Sequence, residues 1–201
     1  MGLFDFTKKK VNRNGKSPLE RYLEHLDNIF QQEPKFYKEE SLVDGLTGVA
    51  SMVYHDVPEK GYITGLTYGL SLIKHPSWKY GRPELCISVE SSSLDWGCVA
   101  GYLANSLRGD CPFTYGQTIN FGARISDDSE MDAFFIFAPS TIEKEDYSDI
   151  DIGTDYKIHI AGLYPMYSDE LETFEKIGLE KFWHHPLFDN YKVNRERIKR
   201  D

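Results

Sequence analysis

The sequence has no long apolar run and no recognisable targeting segment. Its longest purely apolar stretch, residues 133–138, is only six residues and cannot span a bilayer. The N-terminal stretch MGLFDFTKKK has neither an apolar signal-peptide core nor, with Phe6, the myristoylation pattern. These absences predict a cytoplasmic protein with no membrane partner.

The chain has few cysteines, and their spacing does not suggest pairs. The three cysteines, Cys86, Cys98 and Cys111, are an odd number, and none are spaced as C-x-x-C. The sequence therefore suggests neither a disulfide framework nor a zinc knuckle, which agrees with a reducing compartment.

Common catalytic motifs are also absent: there is no G-x-S-x-G, Walker A, G-x-G-x-x-G or H-E-x-x-H. A cysteine-dependent hydrolase stays open as an alternative, because Cys111 could act as a nucleophile if a histidine folded near it. The candidate histidines are His55, His75 and His159. A lone cysteine is more often a small buried residue than a catalytic nucleophile.

Metal-ligand patterns are weak as well. The adjacent His184 and His185 would point about 100° apart on a helix, so they cannot ligate one metal from the same face. The acids around Gly153 lack the glycine and the closing glutamate of a calcium loop. We expect no metal and no cofactor.

What the chain does have is enough apolar material for one core. It has 201 residues, 40% of them apolar, with thirteen Tyr, twelve Phe and three Trp, and no Pro/Gly/Ser-rich linker divides it. We expect a flexible basic N-terminal segment (1–16), one domain (17–190) and a charged C-terminal tail (191–201). The tail prediction assigns Arg195, Arg197, Lys199 and Arg200 to a free end.

The hydrophobic periodicity and the positions of capping and turn residues predict an α+β fold. Ser17, Pro18 and Glu20 form a helix start with a capping box, followed by an apolar stripe from Leu19 to Phe30. Residues 58–61 supply a turn between two strands, and 85–89, 133–138 and 156–163 read as further strands. A helix over 95–107, capped by Asp95 or Ser93, should bury Trp96, Val99, Ala100, Leu103 and Leu107. Strand pairs followed by helix-linked strands predict a mixed, mostly antiparallel sheet with packed helices.

The segment 158–178 predicts a strand-to-helix junction. Pro165 lacks a backbone N–H and should end the strand, while Ser168 can cap the helix that follows. Leu171, Phe174 and Ile177 give the helix one apolar face, and Gly178 can take the left-handed conformation that stops it.

Three segments together resemble the suppressor of fused family: 61–71 (GYITGLTYGLS), 82–107 (RPELCISVESSSLDWGCVAGYLANSL) and 158–178 (IHIAGLYPMYSDELETFEKIG). The matching residues are Tyr68, Gly69, Leu70 and Ser71, then Pro83, Glu84 and Leu85, then Trp96 and Leu103, and finally Tyr164, Pro165, Glu170, Leu171 and Gly178. The resemblance runs from about residue 44 to residue 183. It implies the bacterial single-domain form, which is often encoded beside polymorphic toxins and is regarded as an immunity protein that binds a cognate toxin.

Charge is distributed unevenly. Residues 127–155 contain ten acidic residues and one basic residue, so this stretch carries the whole net charge of −9. The simplest interpretation is a pair of solvated loops around a buried strand. The more specific interpretation is a docking patch for a basic protein such as a toxin, which disfavours nucleic acid as a direct ligand. The predicted contact residues are Asp127, Asp128, Glu130, Glu143, Glu145, Asp146 and Asp149.

A second candidate is the segment 116–122 (GQTINFG). A glycine-flanked loop here would present Tyr115, Gln117, Thr118 and Asn120 to a peptide or loop of a partner. The alternative is a turn whose side chains bond their own backbone. The sequence leaves the oligomeric state and the identity of the partner open.

Overall fold

The protein is built on one seven-stranded sheet, which a computed structural model describes within residues 15–199. The strands are β1 (Lys35–Lys38), β2 (Ala50–His55), β3 (Tyr62–Tyr68), β4 (Arg82–Glu90), β5 (Thr118–Asn120), β6 (Ala133–Phe137) and β7 (Ile158–Met166). The helices are α1 (Pro18–Phe30), α2 (Leu94–Leu107), α3 (Lys144–Tyr147) and α4 (Leu171–Trp183). The predicted single-domain α+β class is confirmed, whereas most of the N-terminal segment, residues 1–14, lies outside the described residues.

The strand order is β1-β2-β3-β4-β7-β6-β5. All neighbours are antiparallel except the central pair β4 and β7, which run parallel in a register from Arg82 opposite Ile158 to Cys86 opposite Gly162. The predicted hairpin is confirmed, since residues 58–61 lie in the connection between β2 and β3. Because β4 and β7 are parallel neighbours, the loops that enter them lie side by side at one end of the sheet.

Helix α2 packs on one face of the sheet in the predicted orientation. Trp96, Val99, Ala100 and Leu103 are buried together with β-strand residues such as Val53 and Ile87, while Leu107 is partly buried against them. The contact between helix and sheet is close enough to need glycine. A Cβ atom on Gly65 of β3 would lie 2.1 Å from the backbone oxygen of Gly97. Ser93 occupies the cap position, but its hydroxyl donates to Asp95 instead of capping a helix amide.

Helix α1 covers the opposite face. It begins as predicted, with Ser17 and Glu20 exchanging both bonds of a capping box. Tyr22 and Leu26 are fully buried against Met52, Tyr54 and Leu66. Successive side chains of β2 therefore pack into two different cores, one on each face of the sheet, because side chains alternate along a strand.

The predicted junction after β7 is wrong in two respects. The strand continues through Pro165 to Met166. Because β4 pairs with β7 only as far as Gly162, Pro165 lies where β7 pairs with β6 alone, and a missing N–H is tolerated there. Ser168 does not cap α4, since its N–H and hydroxyl donate to the carboxylate of Asp132 at 2.6 and 2.7 Å.

Helix α4 also departs from the prediction at its far end. A 3-10 turn, Ser168–Glu170, leads into the helix, and Gly178 takes a left-handed φ of 82° as expected. The helix is kinked at Gly178 and resumes afterwards to Trp183, so the predicted stop is a kink. This shape lets aromatic residues on both sides of the kink, Phe174 and Phe182, pack against Phe135 of β6.

The predicted free C-terminal tail is likewise corrected. Val193, Arg195 and Ile198 are buried, and Lys192 forms a parallel bridge with Glu90 at the end of β4. Arg195 makes a two-pronged ion pair with the buried carboxylate of Glu170, with both N–O distances 2.7 Å. Glu170 also accepts the N–H groups of Tyr167 and Ile198. An ion pair between a helix start and the chain end is invisible to local periodicity, and for this reason the sequence suggested a tail.

A second buried carboxylate lies in the middle of the sheet. One oxygen of Glu84 accepts the Gly69 N–H at 2.9 Å, the Ser71 N–H at 3.0 Å and the Ser71 hydroxyl at 2.6 Å, and the other accepts the Thr67 hydroxyl at 2.6 Å. Burial raises the pKa of the Glu84 carboxyl, and these four hydrogen bonds oppose that rise. Glu84, Gly69 and Ser71 belong to the motifs that carry the suppressor of fused resemblance, and here they are structural.

We predict that Leu103→Ala lowers the free energy of unfolding by about 3 kcal/mol, because it empties a site enclosed by helix and sheet. Urea unfolding measures the change. Tyr102→Ala is the matched control on the same helix, since Tyr102 is 50% exposed and should matter much less. Equal effects of the two substitutions would contradict the assigned packing face of α2.

We predict that Arg195→Met costs about 3 kcal/mol or more, since it leaves the buried Glu170 carboxylate without its counter-charge. Arg197→Met is the control. Arg197 pairs with Asp169 and Glu130 at the surface, where ion pairs contribute about 1 kcal/mol or less. Adding Glu170→Gln to Arg195→Met should recover part of the loss, and a further loss would contradict the pairing.

Candidate protein-binding surface

The acidic stretch 127–155 does not form one patch. Its two halves flank β6, whose five residues separate them by about 16 Å at the usual strand rise. Residues 127–132 precede β6 and lie near the start of α2, whereas residues 143–155 follow it and lie near the start of β7. The predicted contact residues thus fall into two groups at opposite ends of the sheet.

The first group is largely occupied with internal contacts. Asp128 accepts the Ser91 hydroxyl at 2.5 Å and the Trp96 indole N–H at 2.9 Å. Burial disfavours its charge, but the hydrogen bonds from Ser91 and Trp96 outweigh that effect and lower the pKa of Asp128. Glu130 pairs with Arg197. Asp127 is exposed and has no ion pair within residues 15–199, so it is the predicted contact residue at this end that stays open to a partner.

The second group is more open. Glu143 occupies the position before α3, and Glu145 is exposed on that short helix. The backbone oxygen of Asp146 lies 2.6 Å from Nε2 of His25, which ties α3 to α1. Asp149 is exposed and has a left-handed φ of 55°. We call Glu143, Glu145, Asp146 and Asp149 the acidic surface.

The segment 116–122 is not a simple loop. Thr118–Asn120 forms the edge strand β5, which pairs with β6. Gln117 lies where β6 ends, and its side-chain oxygen accepts the N–H of Thr114. Asn120 lies at the opposite end, opposite Ala133. Of the four residues predicted as a group, Tyr115 and Gln117 therefore precede β5, and Thr118 and Asn120 lie on it.

Tyr115 joins the acidic surface. Its ring packs edge-on against Phe137 with centroids 5.5 Å apart, and the residue stays 47% exposed. Partial burial raises the pKa of its hydroxyl to about 12, so Tyr115 is a neutral hydrogen-bonding group at physiological pH. Tyr115 and Asp149 line the same surface cavity of about 460 Å³.

The loop between the first 3-10 turn (Leu70–Leu72) and β4 forms the other wall of that cavity. Trp78 and Tyr80 contribute to it, and Tyr80 is 94% exposed. The Trp78 indole N–H donates to the backbone oxygen of Pro112 at 2.8 Å, which fixes the loop to the chain after α2. Sequence reasoning missed this loop, although the alternation of aromatic and basic residues in HPSWKYG was visible.

His159 also lines the cavity. Burial lowers the pKa of its imidazole, and the nearby charge of Asp149 partly offsets that change. Besides His159, the ionisable side chains with a charge in this lining are one acid, Asp149, and one lysine, Lys79.

The geometry does not support the cysteine hydrolase. Cys111 is buried, and burial raises the pKa of its thiol, which is the opposite of nucleophile activation. Its polar neighbours are the Phe113 backbone and the Gln117 side chain. Within residues 15–199 no histidine forms a hydrogen bond with it.

The same described range contains no cluster of three or more His, Cys, Asp or Glu side chains arranged to hold a metal ion. None of its helices combines the length and apolar character that crossing a membrane requires.

Comparison with known proteins places the fold. The sequence matches no protein-family model, and no curated protein matches it. Among solved structures, a suppressor of fused homologue from Neisseria gonorrhoeae aligns with a TM-score of 0.69 at 16% identity, covering 90% of this chain and 97% of that one.

Two further structures agree. The Sufu–Fu complex aligns with a TM-score of 0.56 at 14% identity over 90% of this chain and 92% of that one. Drosophila Suppressor of Fused aligns with a TM-score of 0.60 at 12% identity over 89% of this chain and 50% of that one. The chain has the fold of suppressor of fused proteins.

Proposed function

We propose that this domain is a non-enzymatic, cytoplasmic immunity protein of a bacterial polymorphic toxin system, which binds a basic toxin domain and neutralises it by covering its active surface. The observation that carries the proposal is the acidic surface beside Tyr115 and the exposed Tyr80. Tyrosine side chains are enriched at the centre of protein interfaces, and polar or charged residues form the rim around them.

The charge argument favours a basic partner. A concentrated negative surface attracts a basic protein before contact and raises the association rate, and it repels nucleic acid. Within the acidic stretch, the half that follows β6 has more exposed acidic side chains for this than the half that precedes it. Asp128 and Glu130, in the half that precedes β6, are already bonded to Trp96 and Arg197.

The fold supports protein binding as the mode of action. One solved structure with this fold is that of the Sufu–Fu complex. Cys111 is buried and the pKa of its thiol is raised, so it does not favour a catalytic role. We therefore propose a protein partner and no chemical step.

The partner can be identified by cross-linking in source cells, followed by expression of the captured protein alone. The proposal requires that the captured protein arrests growth and that co-expression of this chain restores growth. A captured protein that is harmless, or whose toxicity this chain does not relieve, would contradict the proposal.

We predict that Glu145→Lys with Asp146→Lys slows association with that toxin by about tenfold at low salt and weakens the salt dependence of the rate, while the dissociation rate changes less. Stopped-flow fluorescence measures both rates. Glu175→Lys with Glu180→Lys is the matched control, because both residues are exposed, neither is a predicted contact residue, and the charge change is identical. Equal slowing by the two variants would show a general charge effect and contradict a local contact.

A further inference from the structure

On the other side of the Trp78–Tyr80 loop lies a second cavity of about 480 Å³, and its charge is opposite to that of the acidic surface. We infer that this cavity binds an acidic peptide segment of a protein partner. Its lining includes Lys74, Lys79, Arg82 and Lys157, against one acid, Asp155. We call it the basic cleft.

The topology of the sheet builds this cleft. The loop before β4 and the loop before β7 lie side by side because the two strands are parallel, and the Arg82 N–H donates to the Lys157 oxygen at 2.9 Å. Gly81 forms the close contact between the loops. A Cβ atom there would lie 3.1 Å from the Lys157 oxygen and 3.2 Å from Nδ1 of His159. The cleft is therefore part of the folded framework.

Two of the four cations are available to a ligand. Lys157 forms an ion pair with Asp151, and Arg82 donates to the Ser71 backbone oxygen while its guanidinium lies 3.6 Å from the Tyr156 ring centroid. Lys74 and Lys79 are exposed, and neither has an ion pair within residues 15–199. Four lining cations and one acid, in a chain of net charge −9, mark a local site for an anion.

The aromatic residues favour a peptide over a nucleotide. A nucleotide base is held best between enclosed aromatic faces, but Arg82 covers Tyr156, and Trp78 packs against His75 with centroids 5.5 Å apart. Tyr80 borders both cavities, but it is 94% exposed on the loop between them, so its ring does not enclose a base. An extended peptide can cross Tyr80 and place its carboxylates near Lys74 and Lys79, so that aromatic contact and charge act together.

This inference concerns the other side of the loop, where the basic cleft shares only residues 78–81 with the cavity beside the acidic surface, and it goes beyond the proposed function. The basic cleft and the acidic surface lie on either side of one loop, so a partner that covered both would present a basic patch beside an acidic segment. The peptide experiment below uses no toxin. Failure of the peptide experiment therefore does not bear on the proposed toxin binding, and failure of the growth experiment does not bear on the basic cleft.

The test is fluorescence anisotropy with a fluorescein-labelled octapeptide of alternating glutamate and tyrosine. Wild-type protein should bind it, and Lys74→Glu with Lys79→Glu should weaken binding by about tenfold or more. Tyr80→Ala should weaken it about threefold or more with no change in net charge. The control, Lys60→Glu with Lys176→Glu, makes the same charge change at exposed lysines outside the cleft and should bind like wild type.

Three results would overturn the inference: no binding to the wild type, equal binding of a lysine–tyrosine octapeptide, or equal weakening by the cleft variant and its control. Tighter binding of ATP than of the peptide at this cleft would also overturn it, in favour of a nucleotide. Circular dichroism spectra of all variants confirm that the comparison is between folded proteins.

Discussion

The buried carboxylate of Glu84 is the constraint on which the position of the loop between the two candidate binding cavities depends. It binds the two backbone N–H groups with which the chain leaves β3, and so it sets the start of the loop that returns as β4. Burying a carboxyl group is costly unless donors surround it, and four donors do so here. Gly69 can supply one of them because it takes a φ of 132°. The loop that carries Trp78 and Tyr80 begins from this fixed point.

A second buried carboxylate performs the same kind of task at the opposite end of the sheet. Glu170 joins the start of α4 to Arg195, so the chain after α4 closes over the β6–β7 end of the core. Both carboxylates lie in the segments that resemble suppressor of fused proteins, and both are inaccessible. These two resembling residues thus stabilise the shared fold, whereas the proposed binding depends on exposed residues that surround this framework.

The sequence predicted the parts of the fold that local patterns determine. The capping box at Ser17, the β2–β3 hairpin and the buried face of α2 depend on neighbours in sequence, and all three are confirmed. Two features that sequence reasoning missed depend on distant contacts. Pro165 fits inside a strand because β4 has stopped pairing there, and Arg195 is buried by Glu170. The strand that divides the acidic stretch was predicted, because its apolar run is local. For the same reason the sequence predicted only one of the two candidate surfaces. Its acidic residues are adjacent in sequence, whereas the basic cleft forms only because two parallel strands bring their preceding loops together.

Native-state hydrogen exchange at the Gly69 and Ser71 amides tests the central claim most directly. If Glu84 holds the start of the loop, these two amides should be as strongly protected as those of β3 and β4 and should exchange only with global unfolding, although they lie beyond the end of a strand. Exchange at the rate of exposed loop amides, while β3 and β4 remain protected, would contradict the account.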